Sequence, residues 1–169
     1  MIAKGAGQSL HAYAREALFD PAGGIGATEW VNGEDGNESA ASGLRMTPRD
    51  LARVGQLMLA GGLVDNKRRV VAQEWIDLST TPVAQVDENR QYGFHWYTGY
   101  FAFMTPTRPR WSRARLERYW GAFGNGGQRL FILPCLDLVL AITAGNYDTP
   151  DQWVPPVRNV GEVVLPSLL

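Results

Sequence analysis

GAFGNGGQRLFILPCLDLVLAIT, residues 121–143, is the stretch that decides the fold class of this 169-residue chain. Two nearly continuous apolar runs, at 128–133 and 138–143, are separated by the turn-forming residues 134–137. Two apolar runs joined by a four-residue turn predict an antiparallel β-hairpin. The glycine-rich residues 121–127 lead directly into the first strand of that hairpin.

Helical patterns precede this hairpin. Ser9 can cap a helix over 10–18, and Thr47 followed by Pro48 predicts a capped helix that stops at Gly61 and Gly62. A shorter helix is predicted over 72–78, and residues 28–43 show no sustained period, which predicts a long irregular loop.

Alternating aromatic residues at 92–97 predict a further strand, and the spacing of Val154, Val157 and Val160 predicts a C-terminal helix broken near Pro166. Helices, then three strands, then a helix indicate an α+β fold with an antiparallel sheet. We expect residues 1–169 to form a single partial domain.

Composition narrows the function classes. The formal net charge is -1, and Cys135 is the only cysteine, so neither an internal disulfide nor a thiolate zinc site can form. With only two histidines we expect no metal and no cofactor. No apolar run approaches the roughly 20 residues that span a bilayer, so we expect no membrane association. The sequence contains one cluster of basic residues, which a nucleic-acid site would need. Glu117 lies within that cluster and the rest of the chain is acidic on balance, so we expect no nucleic-acid binding. The members of the cluster are Arg108, Arg110, Arg113, Arg115 and Arg118.

The glycine-rich stretch fails both nucleotide-binding patterns. Counted from Gly124, the sixth position of a dinucleotide fingerprint is Arg129, and no lysine follows Gly126 as a phosphate loop requires. The segment that follows is a predicted strand, which offers no helix N-terminus to a phosphate. Two interpretations stay open: backbone N–H groups that form an oxyanion hole, or a bend in an edge strand.

An oxyanion hole needs a nucleophile, and the chain shows none. No Gly-x-Ser-x-Gly or Ser-x-x-Lys motif is present, and the residues three positions after Ser42 and Ser112 are arginines, which cannot act as a base. We expect Cys135 to be structural. The acidic residues Glu34, Asp35 and Glu38 fit a solvated loop better than a carboxylate pair. We therefore expect no catalytic residue in this chain.

Several segments together resemble a known family. SGLRMTPRDLARVGQL at 42–57, Trp75 with Ile76, YGFHW at 92–96 and AFGNGGQRLFILP at 122–134 resemble the C-terminal half of serine hydrolases of the class C beta-lactamase type. Their arrangement is most similar to the branch that includes 6-aminohexanoate-dimer hydrolases. The resemblance covers nearly the whole chain.

The resemblance implies a penicillin-recognising fold with a five-stranded antiparallel sheet, flanking helices and an all-helical region. It implies catalysis through a serine in a Ser-x-x-Lys box and a tyrosine in a Tyr-x-Asn or Tyr-x-Ser box, both of which this sequence lacks. The third active-site segment, whose backbone serves the oxyanion hole, matches five residues here, although they carry no leading Lys or His. These are Phe123, Gly124, Asn125, Gly126 and Gly127.

The resemblance and the absent boxes together give the functional hypothesis. We expect a C-terminal fragment of a serine hydrolase that is inactive alone and binds a small amide or ester substrate when completed by the missing half. The alternative is a non-catalytic module that binds a ligand or partner in the same cleft. Uncovered apolar surface on the hairpin and terminal helix would favour a homo-oligomer.

Overall fold

The computed structural model describes residues 2–26, 28–65, 67–104 and 114–168. These residues fall into two compact units, Met1–Gln73 and Glu74–Leu169, each with its own hydrophobic core. The helices are α1 (Ile2–Ala6), α2 (Leu10–Ala14), α3 (Pro48–Leu59), α4 (Gln73–Ser79), α5 (Val154–Asn159) and α6 (Leu165–Leu168), with π-helical turns at Arg15–Phe19 and Val160–Val164. The strands are β1 (Thr28–Trp30), β2 (Leu44–Met46), β3 (Leu63–Val64), β4 (Arg68–Arg69), β5 (Ala84–Gln85), β6 (Arg90–Tyr92), β7 (Tyr97–Phe103), β8 (Arg115–Gly124), β9 (Gln128–Leu133) and β10 (Leu138–Ile142).

The first unit contains the two capped helices that the sequence predicts. The Ser9 hydroxyl accepts a hydrogen bond from the Ala12 N–H at 3.1 Å, and the Thr47 hydroxyl accepts one from the Asp50 N–H at 3.1 Å. Each cap satisfies a backbone donor that a helix N-terminus leaves without an intrahelical partner. Apolar side chains from the two helical segments pack together in a hydrophobic cluster that includes Phe19 and Leu57.

The irregular loop predicted over 28–43 begins instead with a strand. β1 pairs with β2 in antiparallel register, Thr28 opposite Met46 and Trp30 opposite Leu44. The Trp30 indole N–H reaches back to the carbonyl oxygens of Ser39 and Ser42, at 2.8 and 3.0 Å, and ties the intervening loop to the strand. A three-residue strand is too short to show periodicity, which is why the sequence pattern missed it.

The second unit is built on a six-stranded antiparallel sheet of order β10-β9-β8-β7-β6-β5, one strand more than the resemblance implied. The predicted hairpin is confirmed: β9 pairs with β10, Leu133 opposite Leu138 and Arg129 opposite Ile142. Asp137 closes the turn in the left-handed region with φ 49°. The mixed helix and antiparallel-sheet fold is therefore as predicted.

Strand β8 was not predicted. It carries Arg115 and Arg118, which the sequence pattern placed in an arginine-rich loop, whereas Arg108, Arg110 and Arg113 lie outside the described residues. The charged residues hid the alternation, because an ion pair of 2.5 Å between Arg115 and the buried Glu117 occupies inward-facing positions. β8 lies between β7 and β9, and β9 lies between β8 and β10. The glycine-rich stretch therefore connects two interior strands and does not bend an edge strand.

The strand predicted over 92–97 is in fact the turn of a hairpin. β6 ends at Tyr92 and β7 begins at Tyr97, and the Gly93 N–H donates to the Trp96 carbonyl at 2.8 Å. His95 adopts φ 65° within this turn. A side chain at position 93 would collide with the Ser79 carbonyl, so the glycine is required by close backbone packing.

The terminal helix packs on one face of the sheet. Val160 and Leu165 join Phe101, Phe131 and Leu133 in the core of this unit, and complete burial of each large side chain contributes about 1.5–3 kcal/mol. The predicted break near Pro166 is wrong, because the chain stays helical from Val154 to Leu168. The π-helical turn that directly precedes α6 widens the helix where a proline ring would otherwise clash with the preceding turn.

Candidate functional site

The glycine-rich stretch forms a tight connection between two interior strands. β8 ends at Gly124, Asn125–Gly127 forms a 3₁₀ turn, and Gln128 begins β9. Gly126 and Gly127 adopt φ values of +81° and +89°, in the left-handed region where a side chain is strained. The sequence therefore needs glycine here to reverse the chain in three residues.

A second reason for these glycines is the segment that follows β10. A Cβ at position 126 would lie 2.6 Å from the Tyr147 ring, and one at position 127 would lie 2.7 Å from the Gln152 carbonyl oxygen. The Asn146 N–H donates to the Gly126 carbonyl at 3.0 Å. The bare backbone at these two positions is thus covered by the chain itself.

Side-chain amides hold the turn. The Gly126 N–H donates to the Asn125 Oδ1 at 2.8 Å and to the Gln152 side-chain oxygen. The Asn125 side chain in turn donates to the Asp148 carboxylate at 3.0 Å. Gly124 and Asn125 remain exposed, whereas Gly126 and Gly127 are buried.

A cavity of about 370 Å³ lies beside the turn. This volume falls within the range of small-molecule sites. Its walls come from the sheet strands on one side and from the segment before α5 on the other. The lining residues are Arg90, Tyr97, Phe123, Gly124, Asn125, Arg129, Thr149, Pro150, Gln152 and Trp153.

Aromatic stacking builds the sheet wall of this cavity. The Phe123 ring stacks on Tyr97, with centroids 4.6 Å apart and planes at 13°, and the Arg129 guanidinium lies 4.9 Å from the Phe123 centroid. Gly121 permits this arrangement, because a Cβ there would come within 2.5 Å of the Phe123 ring. Stacked aromatic pairs and cation–π contacts each contribute about 0.5–1.5 kcal/mol beyond burial.

The two cavity arginines differ in their electrostatic environment. Arg90 donates to the Asp87 carboxylate at 2.7 Å, which raises the pKa of Arg90 and lowers that of Asp87. Arg129 is 6% exposed, and burial, followed by repulsion from Arg90, lowers the pKa of its guanidinium. Burial likewise raises the pKa of the Tyr119 hydroxyl. Among the described residues, Arg90 has a carboxylate partner in Asp87, whereas none of the ion pairs includes Arg129.

The structure brings part of the predicted site into this cavity. Phe123, Gly124 and Asn125 line it, whereas Gly126 and Gly127 lie behind it against the 144–152 segment. Sequence reasoning missed its other lining residues, which come from distant segments and are Arg90, Tyr97, Arg129, Thr149, Pro150, Gln152 and Trp153. One signal was available: Arg129 is the single charged residue in the apolar β9 segment.

The remaining sequence candidates lie apart from one another. Asp35 stays in a solvated loop, where hydrogen bonds from the Asn37 backbone and side chain lower its pKa. Cys135 is exposed in the turn of the β9–β10 hairpin. Within the described ranges, no group of three His, Cys, Asp or Glu residues could hold a metal ion. No helix in the part of the chain that the structure describes is long and apolar enough to cross a membrane.

Comparison with known proteins identifies the family of this chain. The beta-lactamase family model matches residues 1–152, which is most of the chain. The chain belongs to the beta-lactamase family. A curated relative, the 6-aminohexanoate-dimer hydrolase of Paenarthrobacter ureafaciens, is 31% identical over 115 residues, covering 66% of this chain and 27% of its own length.

Solved structures of this beta-lactamase-family fold cover almost the whole chain. A protein from Bacillus anthracis, provisionally named a 6-aminohexanoate-dimer hydrolase, matches 99% of the chain with a TM-score of 0.70 at 22% identity. A beta-lactamase from Mycobacterium bovis matches 98% with a TM-score of 0.63 at 18% identity. An octameric penicillin-binding protein homologue from Pyrococcus abyssi matches 96% with a TM-score of 0.65 at 15% identity. The chain spans only 40%, 59% and 39% of the lengths of these three proteins.

Proposed function

We propose that this chain forms the sheet side of the active site of a serine hydrolase that cleaves small amides or esters through an acyl-enzyme. The observation that carries the proposal is the glycine-rich connection 124–127, which joins two interior strands of a beta-lactamase-family sheet and lies beside a cavity. Backbone N–H groups at such a strand end can stabilise the oxyanion of a tetrahedral intermediate.

The oxyanion donors belong to the exposed part of the predicted segment. The Gly126 N–H is already bonded to the side chains of Asn125 and Gln152, so it is engaged before any ligand binds. Gly124 and Asn125 are exposed and line the cavity. We therefore assign the oxyanion role to the backbone N–H groups of Gly124 and Asn125, with Phe123 as the adjoining apolar wall.

The nucleophile is not among these 169 residues. No serine is followed three positions later by lysine, and no tyrosine is followed two positions later by Asn or Ser. We expect the purified chain to release no product above the uncatalysed rate from p-nitrophenyl acetate or a chromogenic cephalosporin. Turnover that a serine-directed inhibitor abolishes would contradict this part of the proposal.

A second candidate is a non-catalytic binding module. The cavity favours it, because all of the cavity's lining residues lie within the second unit and so need no other segment to form it. The preceding genomic DNA separates the two candidates. An open reading frame with Ser-x-x-Lys and Tyr-x-Asn boxes supports the hydrolase, whereas a promoter and a stop codon there support the module.

Self-association is part of the proposed function. β10 is the outermost strand on its side of the described sheet, and its residues Leu138–Ile142 are only half-buried. An apolar edge strand of this kind pairs readily with another chain. One structural relative is an octamer. We expect a dimer or larger assembly in sedimentation velocity, and a strictly monomeric chain at high concentration would count against it.

A further inference from the structure

Gln152 reaches the glycine-rich turn from the opposite wall of the cavity. Its side-chain oxygen accepts a hydrogen bond from the Gly126 N–H, which lies 26 residues earlier in the chain. Gly126 is buried and adopts φ +81°. A buried backbone N–H without an acceptor is strongly unfavourable, so this contact restricts the conformations that are open to the turn.

The direction of the Gln152 amide follows from the contact itself. A backbone N–H can only donate, so the oxygen of the Gln152 side chain faces the turn and its NH₂ group points away from it. Asn125 makes a matching contact from within the turn, because its Oδ1 accepts from the same N–H at 2.8 Å. Two side-chain oxygens therefore share one backbone donor and fix its direction.

The segment that carries Gln152 is anchored at its other end by a second glutamine. Gln128, the first residue of β9, donates through its side-chain nitrogen to the Ala144 carbonyl and accepts from the Ala144 N–H at 3.2 Å. Between the two glutamines, the Asn146 N–H donates to the Gly126 carbonyl at 3.0 Å. These contacts hold the segment against the turn, so Gln152 approaches Gly126 from a fixed backbone.

The contact with Gln152 lies next to the N–H groups that we assign to the oxyanion. Because a peptide unit is planar, an acceptor that fixes the Gly126 N–H fixes the whole unit between Asn125 and Gly126. Only the two backbone dihedral angles of Asn125 separate this unit from the one that carries the Asn125 N–H. The direction of the Asn125 N–H therefore depends on the acceptor that Gln152 supplies.

We propose that Gln152 is a positioning residue of the oxyanion site. Its side-chain oxygen orients the turn so that the N–H groups of Gly124 and Asn125 face the cavity. The inference rests on the proposed hydrolase function, and it adds to that site a residue from outside the glycine-rich segment. Gln152 acts through the backbone and needs no contact with the reacting atoms.

Two variants of similar side-chain length separate the hydrogen bond from packing. Gln152→Met lacks the oxygen acceptor, whereas Gln152→Glu keeps oxygens that can accept from Gly126. NMR of isotope-labelled protein measures amide exchange and chemical shifts. In Gln152→Met we expect the Gly126 N–H to exchange about two- to tenfold faster, and the Gly124 and Asn125 amide signals to shift, because one hydrogen bond is lost. Gln152→Glu should restore both, and Gln91→Met, at an exposed position of β6, is the matched control.

Titration with hexanamide connects this positioning role to the proposed function. Its carbonyl should shift the Gly124 and Asn125 amide signals in the unmodified chain and in Gln152→Glu, and should shift them less in Gln152→Met. No shift in the unmodified chain would contradict the oxyanion assignment and so the proposed function, while the exchange of the Gly126 N–H still tests the contact with Gln152.

The positioning role is overturned if a folded Gln152→Met protein keeps the Gly126 exchange rate and the Gly124 and Asn125 signals of the unmodified chain. Should Gln152→Met fail to fold, the NMR coupling across the hydrogen bond between Gly126 and Gln152 is measured in the unmodified chain. We expect that coupling to be present, and its absence would equally refute the role of Gln152.

Discussion

Replacing Gly127 by alanine tests the tight connection at the centre of the candidate site. The substitution places a side chain at φ +89°, which costs about 1–2 kcal/mol for a non-glycine residue. Its Cβ would also lie 2.7 Å from the Gln152 carbonyl oxygen and 3.1 Å from the Ala144 Cβ, so backbone must move. Overpacking of this kind costs a further 1–3 kcal/mol or so. We expect Gly127→Ala to lower the free energy of unfolding by about 2–5 kcal/mol.

Two other glycines provide matched comparisons. A Cβ at Gly126 meets the ring of Tyr147, but this side chain is 59% exposed and can move away. Gly126→Ala should therefore lower the free energy of unfolding only by the cost of a left-handed backbone, about 1–2 kcal/mol. A Cβ at Gly145 meets nothing within 4 Å, and Gly145→Ala should stay within about 0.5 kcal/mol of the unmodified chain.

Urea denaturation followed by tryptophan fluorescence measures all three variants. Thermal unfolding should give the same order, with Gly127→Ala lowering Tm by about 4–20 °C at the usual 2–4 °C per kcal/mol. A Gly127→Ala protein as stable as Gly145→Ala would refute the described packing of residues 144–152 against the turn.

Two further predictions concern Phe123 in the cavity wall and Asp87, the carboxylate that pairs with Arg90. Phe123→Leu should destabilise by about 1–3 kcal/mol, because it loses the aromatic stack and the contact with Arg129, and in thermal unfolding it should cost more than Phe94→Leu, whose ring is 43% exposed. The hydrogen bond from Arg90 lowers the pKa of Asp87 in the folded protein. The ionised Asp87 should therefore stabilise the fold above its unfolded-state pKa, and this contribution should be lost as pH falls through the folded-state pKa. The unmodified chain should therefore lose more Tm than Asp87→Asn between neutral pH and about pH 3; equal losses would show that the pair does not form.

The sequence predicted the elements whose signals are local. The hairpin of β9 and β10 shows two apolar runs around a turn, and α3 carries its own cap at Thr47 and its own stop at Gly61 and Gly62. Strand β8 escaped, because its inward-facing Arg115 and Glu117 satisfy each other and only the neighbouring strands make those positions internal. Periodicity reads such positions as exposed.

The candidate site was predictable only where the family pattern reaches. Phe123, Gly124 and Asn125 follow one another in sequence, and the resemblance identified them. Tyr97 and Gln152 reach the same cavity through strand pairing and through the return of the chain after β10, which no local spacing encodes. The burial of the Arg129 guanidinium against the Phe123 ring becomes visible only once the strands are paired.

Intact-mass spectrometry of the chain after exposure to a fluorophosphonate, or to p-nitrophenyl acetate, tests the central claim most directly. The claim is that this beta-lactamase-family chain carries the oxyanion side of a hydrolase site and not its nucleophile. The account predicts that the mass stays that of the unmodified protein. A stoichiometric adduct on one serine, removed by replacing that serine with alanine, would contradict it.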